Sequence, residues 1–162
     1  MNLVRIAMTA AIVLTLAVPV TAATINMTAA MDGPQVNAGA GSGSPGIGTG
    51  TVTFDTVTKQ LTWSITWGGL LSAPTLMHFH GPALPNQNAG VQVGTGVVGP
   101  PVVGNAVLSP AQEADLLAGL WYLNLHTAIY GDGEIRGQVL TNAVPIQETS
   151  WGAIKALFVV DY

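Results

Sequence analysis

The chain has 162 residues, enough for one domain with a hydrophobic core of its own. Only 7% of residues are charged, the formal net charge is −4, and the chain has 20 glycines, 10 prolines and no cysteine. This composition excludes disulfides, thiolate chemistry and cysteine-type zinc sites, and it favours a compact β protein over a disordered chain.

Met1 to Arg5 carries the single early positive charge, Ile6 to Val20 is an apolar run, and Thr21-Ala22-Ala23 supplies small residues. That three-part pattern predicts a secretory signal peptide over residues 1–23, cleaved after Ala22 or Ala23. Pro19 and the short apolar core argue against a spanning helix, which needs about 20 apolar residues. No later segment reads as transmembrane. Removal of the leader leaves Lys59, Arg136 and Lys155 as the only basic residues, too few and too scattered for nucleic-acid binding. The expected location is outside the cell or in the periplasm and envelope.

Thr24 to Ala29 alternates as a first strand, and Asp32-Gly33-Pro34 is a turn signal. Asn37 to Gly50 is rich in Gly, Ser and Ala and is expected to be a loop with little intrinsic order. Thr51 to Asp55 and Leu61 to Trp67 are β-branched and aromatic runs around a short polar break, which predicts a hairpin. In its second strand Leu61, Trp63, Ile65 and Trp67 share the core face, and Thr62, Ser64 and Thr66 share the wet one. Gly68-Gly69 ends that strand, and Pro74 to His80 begins the next.

Gly81 to Asn105 reads as a long ordered loop with at most one short strand, at Val97-Val98 or Val102-Val103. Ser109, Pro110 and Gln112 are three helix-start devices: a cap, a first-turn proline and the partner in a capping box. The helix is expected to run through Leu117 and to end at Gly119. Leu120 to Tyr130, the turn Gly131-Asp132-Gly133, and Glu134 to Thr141 predict a final hairpin. The domain is expected to cover residues 24–141. Beyond it, residues 142–162 form a tail with Trp151, Ile154, Leu157 and Phe158 at helical spacing.

The chain has three histidines. Two occur in Leu76-Met77-His78-Phe79-His80-Gly81, where alternation puts His78 and His80 on one face of a strand, opposite Met77 and Phe79. The third, His126, shares a face with Tyr122 and Asn124, opposite Trp121, Leu123 and Leu125. Two strands can thus bring three imidazoles together, a donor set that suits copper, with zinc as the alternative. If the hairpin pairs symmetrically about Asp132, Arg136 falls on the same face, where a cation can steer a small anion such as superoxide. Asn124 is a candidate to orient an imidazole from behind. Asp132 and Glu134 are expected to be solvated acids of a turn. No serine–histidine–aspartate order, phosphate loop or catalytic carboxylate pair stands out.

His78-Phe79-His80-Gly81-Pro82-Ala83 resembles the His-Ile-His-Gly-Pro-Ala signature of the CHRD domain, the repeat first named in chordin. Gly119 to Thr127 resembles that family's Gly-x-x-Tyr-x-Asn-x-His-Thr, and Gly133-Glu134-Ile135-Arg136-Gly137-Gln138 resembles its Gly-Glu-Ile-Arg-Gly-Gln. Gly50 to Asp55 and Gly69-Leu70 fit its weaker N-terminal part. The resemblance implies a secreted or envelope β domain and no settled reaction. The expected fold is all-β: an antiparallel Greek-key sandwich or barrel with one short helix. The histidine layout also looks like that of copper–zinc superoxide dismutases, with their His-x-His on a Greek-key strand, a later copper histidine and an arginine near the metal. This chain lacks the bridging histidine, the zinc-loop histidines and the cysteine pair. What the resemblance implies is at most a copper-only site on His78, His80 and His126, with Arg136 beside it and dismutase-like redox chemistry. The alternative is a non-catalytic binding or structural module of the envelope or matrix.

Overall fold

The computed structural model describes residues 23–96 and 99–142; the expected leader before residue 23 and the expected tail helix lie outside the described residues. The strands are β1 (Thr24–Asp32), β2 (Ile47–Asp55), β3 (Gln60–Gly68), β4 (Pro74–His80), β5 (Val91–Gly94), β6 (Val102–Val107), β7 (Tyr122–Thr127), β8 (Ile135–Gln138) and β9 (Leu140–Thr141). One α-helix, α1 (Pro110–Leu117), precedes β7, and a 3-10 turn occupies Asn37–Gly39.

All pairings are antiparallel, in the order β5-β4-β7-β8-β1-β2-β3-β6, with β9 on β1. β1, β2 and β3 follow one another as hairpins, and β8 lies beside the first of them, which is a Greek-key arrangement. The sheet curls until its two ends meet across the core. Trp63 of β3 and Phe79 of β4 sit near opposite ends of the strand order, yet their ring centroids are 5.3 Å apart. The result is a nearly closed barrel. Its interior is built from alternate residues: Met27, Val52, Phe54, Leu61, Ile65, Met77, Phe79, Trp121, Leu123, Leu125 and Ile135. Each such side chain removed from water contributes about 1.5–3 kcal/mol, so a chain without disulfides has a core sufficient to hold it.

Several local expectations hold. β3 buries Leu61, Trp63 and Ile65 and leaves Ser64 and Thr66 exposed. Ser109 accepts from the Gln112 amide, the Gln112 side chain returns to the Ser109 amide, and Gly119 follows the helix with φ +72. Ser109→Ala is expected to cost about 1 kcal/mol in a urea-unfolding measurement.

Three expectations need correction. The loop after Asn37 ends at Gly46, because Ile47–Gly50 pairs with Ile65–Gly68 and extends the hairpin. The stretch after Gly81 contains two strands rather than one. Val91–Gly94 pairs with the end of β4, a ladder that four residues flanked by glycine do not announce. Finally, the last hairpin pairs Asn124 with Arg136 and Tyr122 with Gln138, so it is centred on Tyr130 and not on Asp132. The centre moves by two residues and the pairing by four, an even number, so every side chain keeps the face that alternation gave it.

Candidate metal centre

The outer face of β4, β7 and β8 is polar, yet much of it is covered. His78 stands opposite Asn124, which stands opposite Arg136; His80 stands opposite Tyr122, which stands opposite Gln138. His80, Asn124, Glu134, Arg136 and Gln138 are all buried. The cover comes from two loops, residues 33–46 and residues 81–90. The first reaches the face through Ser42 and Ser44, which donate to the Glu134 carbonyl and to its carboxylate, each at 2.7 Å. The second is held from β8 by Gln138, whose Nε2 donates to the Ala83 carbonyl at 2.8 Å, and by Arg136.

The three histidines converge as alternation requires. Their ring centroids lie 5.4, 5.4 and 5.8 Å apart. One nitrogen from each ring falls within 4.8 Å of the others. Three points so spaced all lie within about 2.8 Å (4.8 Å divided by √3) of one common point, close to the ~2.0–2.1 Å of a metal–imidazole bond.

In two of the rings the outer nitrogen is spoken for. His80 Nδ1 donates to the Ala89 carbonyl at 3.0 Å, and His126 Nδ1 donates to the Gly131 carbonyl at 2.8 Å. A carbonyl only accepts, so both rings carry their proton on Nδ1 and leave a lone pair on Nε2. His80 Nε2 is buried without a hydrogen-bond partner, and so is His78 Nδ1. Both atoms are free to take a ligand. The donor set therefore fits a metal ion. Burial lowers the pKa of His78, and the neighbouring His126 lowers it further. Burial likewise lowers that of His80, against the opposing pull of the Ala89 carbonyl and with help from His78, His126 and Arg136. Both shifts favour the neutral form, the one that binds metal.

His80, Tyr122, Asn124 and His126 line a cleft of about 380 Å³ together with Asn37, Asn88, Ala89, Gly131 and Asp132. A larger groove of about 490 Å³ between the ends of β2 and β3 is lined by residues such as Ile47, Thr49, Thr66 and Trp67 and has no titratable side chain.

Asn124 holds the turn. Its Nδ2 donates to the Asp132 carbonyl at 2.9 Å and lies 3.5 Å from His126 Nε2. It thereby fixes the loop whose Gly131 carbonyl orients His126. Gly133, with φ +124, packs against this amide so closely that a Cβ there overlaps the Asn124 side chain. Gly133→Ala is expected to cost about 1–3 kcal/mol in thermal unfolding and to weaken metal binding through the displaced turn.

Arg136 lies 1% exposed, its Cζ 3.5 Å above the Tyr122 ring, with Nη1 donating to Asn88 Oδ1 at 3.1 Å and Nη2 to the Leu84 carbonyl at 3.3 Å. Glu134 departs from the sequence reading. It is wholly buried, accepting from Ser44 Oγ and the Leu71 amide, and Asp132 alone keeps the surface role expected for both. The signal that marks it is its place one step before the core residue Ile135, on the face that the two loops cover.

A family model described as the CHRD domain matches residues 27–139. The chain belongs to the CHRD domain family. The matched segment takes in β1 through β8 and all three histidines. No curated protein and no solved structure matches the chain. Among the described residues of this CHRD domain, no helix is long and apolar enough to cross a membrane.

Proposed function

We propose that this CHRD domain is exported, holds one copper ion through His78, His80 and His126, and uses it for superoxide dismutase-like redox chemistry. One observation carries the reading. Three ring nitrogens lie within 4.8 Å of one another, and two of the rings have their tautomer fixed by a backbone carbonyl. Three neutral imidazoles suit both copper and zinc, and divalent copper binds nitrogen sites more strongly than zinc does. Copper, when bound, supplies a one-electron couple. The protein's part is to favour the neutral form of His78 and His80, to fix the direction of His80 and His126, and to leave the cleft beside them open to a small anion. Asn124 positions His126 through the turn. Export rests on the leader pattern.

A second reading is a non-catalytic envelope or extracellular module. It is favoured by the scarcity of cations at the cleft. Of the two basic residues among those described, Arg136 is buried and Lys59 pairs with Glu113 at 2.9 Å. Superoxide decay, followed with copper-loaded, zinc-loaded and metal-free protein, separates the two. Faster decay with the copper form alone supports the first. Copper binding with no acceleration supports a binding module.

A further inference from the structure

Arg136 is among the largest fully buried side chains, and among the described residues it has no carboxylate partner. A buried guanidinium is expensive unless its donors are used. Two of its five N–H donors are used, both on a single loop. Nη1 reaches the Asn88 side chain and Nη2 the Leu84 carbonyl, while the guanidinium plane packs on Tyr122. The next residue in that loop, Ala89, supplies the carbonyl that accepts from His80 Nδ1. The Ala89 amide donates to Tyr122 Oη at 3.0 Å. Tyr122 in turn stacks on His80, with centroids 5.1 Å apart and planes 9° from parallel. β7 lies between β4 and β8, so the imidazole and the guanidinium reach Tyr122 from its two neighbouring strands.

We propose that Arg136 is a positioning residue. It pins residues 84–89 so that the Ala89 carbonyl fixes His80 as the Nδ1–H tautomer, with Nε2 turned toward the point shared with His78 and His126. The proposal rests on the metal-binding reading of those histidines. Both of the hydrogen bonds that the Arg136 side chain makes go to this loop. Lysine is a poor substitute, because a compact ammonium cannot bridge two acceptors and stack at once.

Two variants test this. Asn88→Ala removes an exposed side chain and only the outer half of the tie, so it leaves the core untouched. Arg136→Lys keeps the charge and loses the fork. In metal-free protein, nitrogen-correlated NMR of the imidazoles is expected to show His80 as the Nδ1–H tautomer in the unmodified chain and as a tautomer mixture in both variants. His126, tied to Gly131, stays unchanged as the internal control. Copper affinity is expected to fall about 10–100-fold, the range seen when an orienting partner of a ligand is lost. Folded Asn88→Ala protein with an unaltered His80 tautomer overturns the proposal, whether or not Arg136→Lys folds. A changed tautomer with unchanged copper affinity overturns its link to the metal. An unmodified chain that binds no copper overturns the proposed function instead, since the tautomer is read without metal.

Discussion

Replacing any one of His78, His80 or His126 by alanine is expected to lower copper affinity by more than about 100-fold, beyond the 10–100-fold cost of losing a mere orienting partner. The reason is the small number of donors. With three imidazoles at one point, the loss of one leaves two, and among the described residues no carboxylate or thiolate joins the cluster to compensate. The three variants should differ in stability. His78 and His126 are partly exposed, so their removal is expected to change metal-free stability by no more than about 1 kcal/mol. His80 is 8% exposed and satisfies the Ala89 carbonyl, so His80→Ala is expected to cost about 1–3 kcal/mol. Competition titration with a chelator of known copper affinity, alongside thermal unfolding of the metal-free variants, checks both parts. Three variants that lose stability together while copper binding is unaffected fit histidines that only hold the fold.

The second large effect is on folding. Glu134 ties the loop of residues 33–46 to the connection between β3 and β4. Its carboxylate accepts from Ser44 in one loop and from the Leu71 amide in another, and its own carbonyl accepts from Ser42. Glu134→Ala is expected to destabilise the domain by about 3–5 kcal/mol, since buried donors in two loops lose a charged acceptor at once. Glu134→Gln, which keeps the shape and loses the charge, is expected to cost about 1.5–3 kcal/mol. The pH dependence follows from the direction of its pKa. Burial raises it, but hydrogen bonds from Leu71, Ser44, Thr127 and Ser72 outweigh burial and lower it overall. A carboxylate with a lowered folded-state pKa contributes stability that is fully present above the unfolded value of 4.5 and is lost as pH falls through the folded value. Urea midpoints measured from pH 7 downward should therefore fall below about pH 4.5 in the unmodified protein. The decline should be shallower in Glu134→Gln, and equal slopes contradict the assignment.

Much of the site is legible in the sequence because it depends on local alternation. His78 with His80, and Tyr122 with Asn124 and His126, need only the period of a strand to share a face. The faces survive even where the register does not, because the hairpin moved by an even number of residues. What alternation cannot show is the cover. Ser44 and Glu134 are 90 residues apart, and Arg136 and Asn88 are 48 apart. Glycine-rich loops carry no periodic signal to say where they will fold back. For that reason Glu134 reads as a solvated turn acid, and β5 is invisible until β4 is there to pair with it.

The central claim is that three imidazole nitrogens share one metal. Electron paramagnetic resonance of metal-free protein titrated with divalent copper tests it most directly. The expected spectrum saturates at one copper per chain, shows coupling to three equivalent-class imidazole nitrogens, and loses one nitrogen or the whole signal in each histidine-to-alanine variant. A signal that never saturates, or one left intact when His78, His80 and His126 are all replaced, contradicts the account.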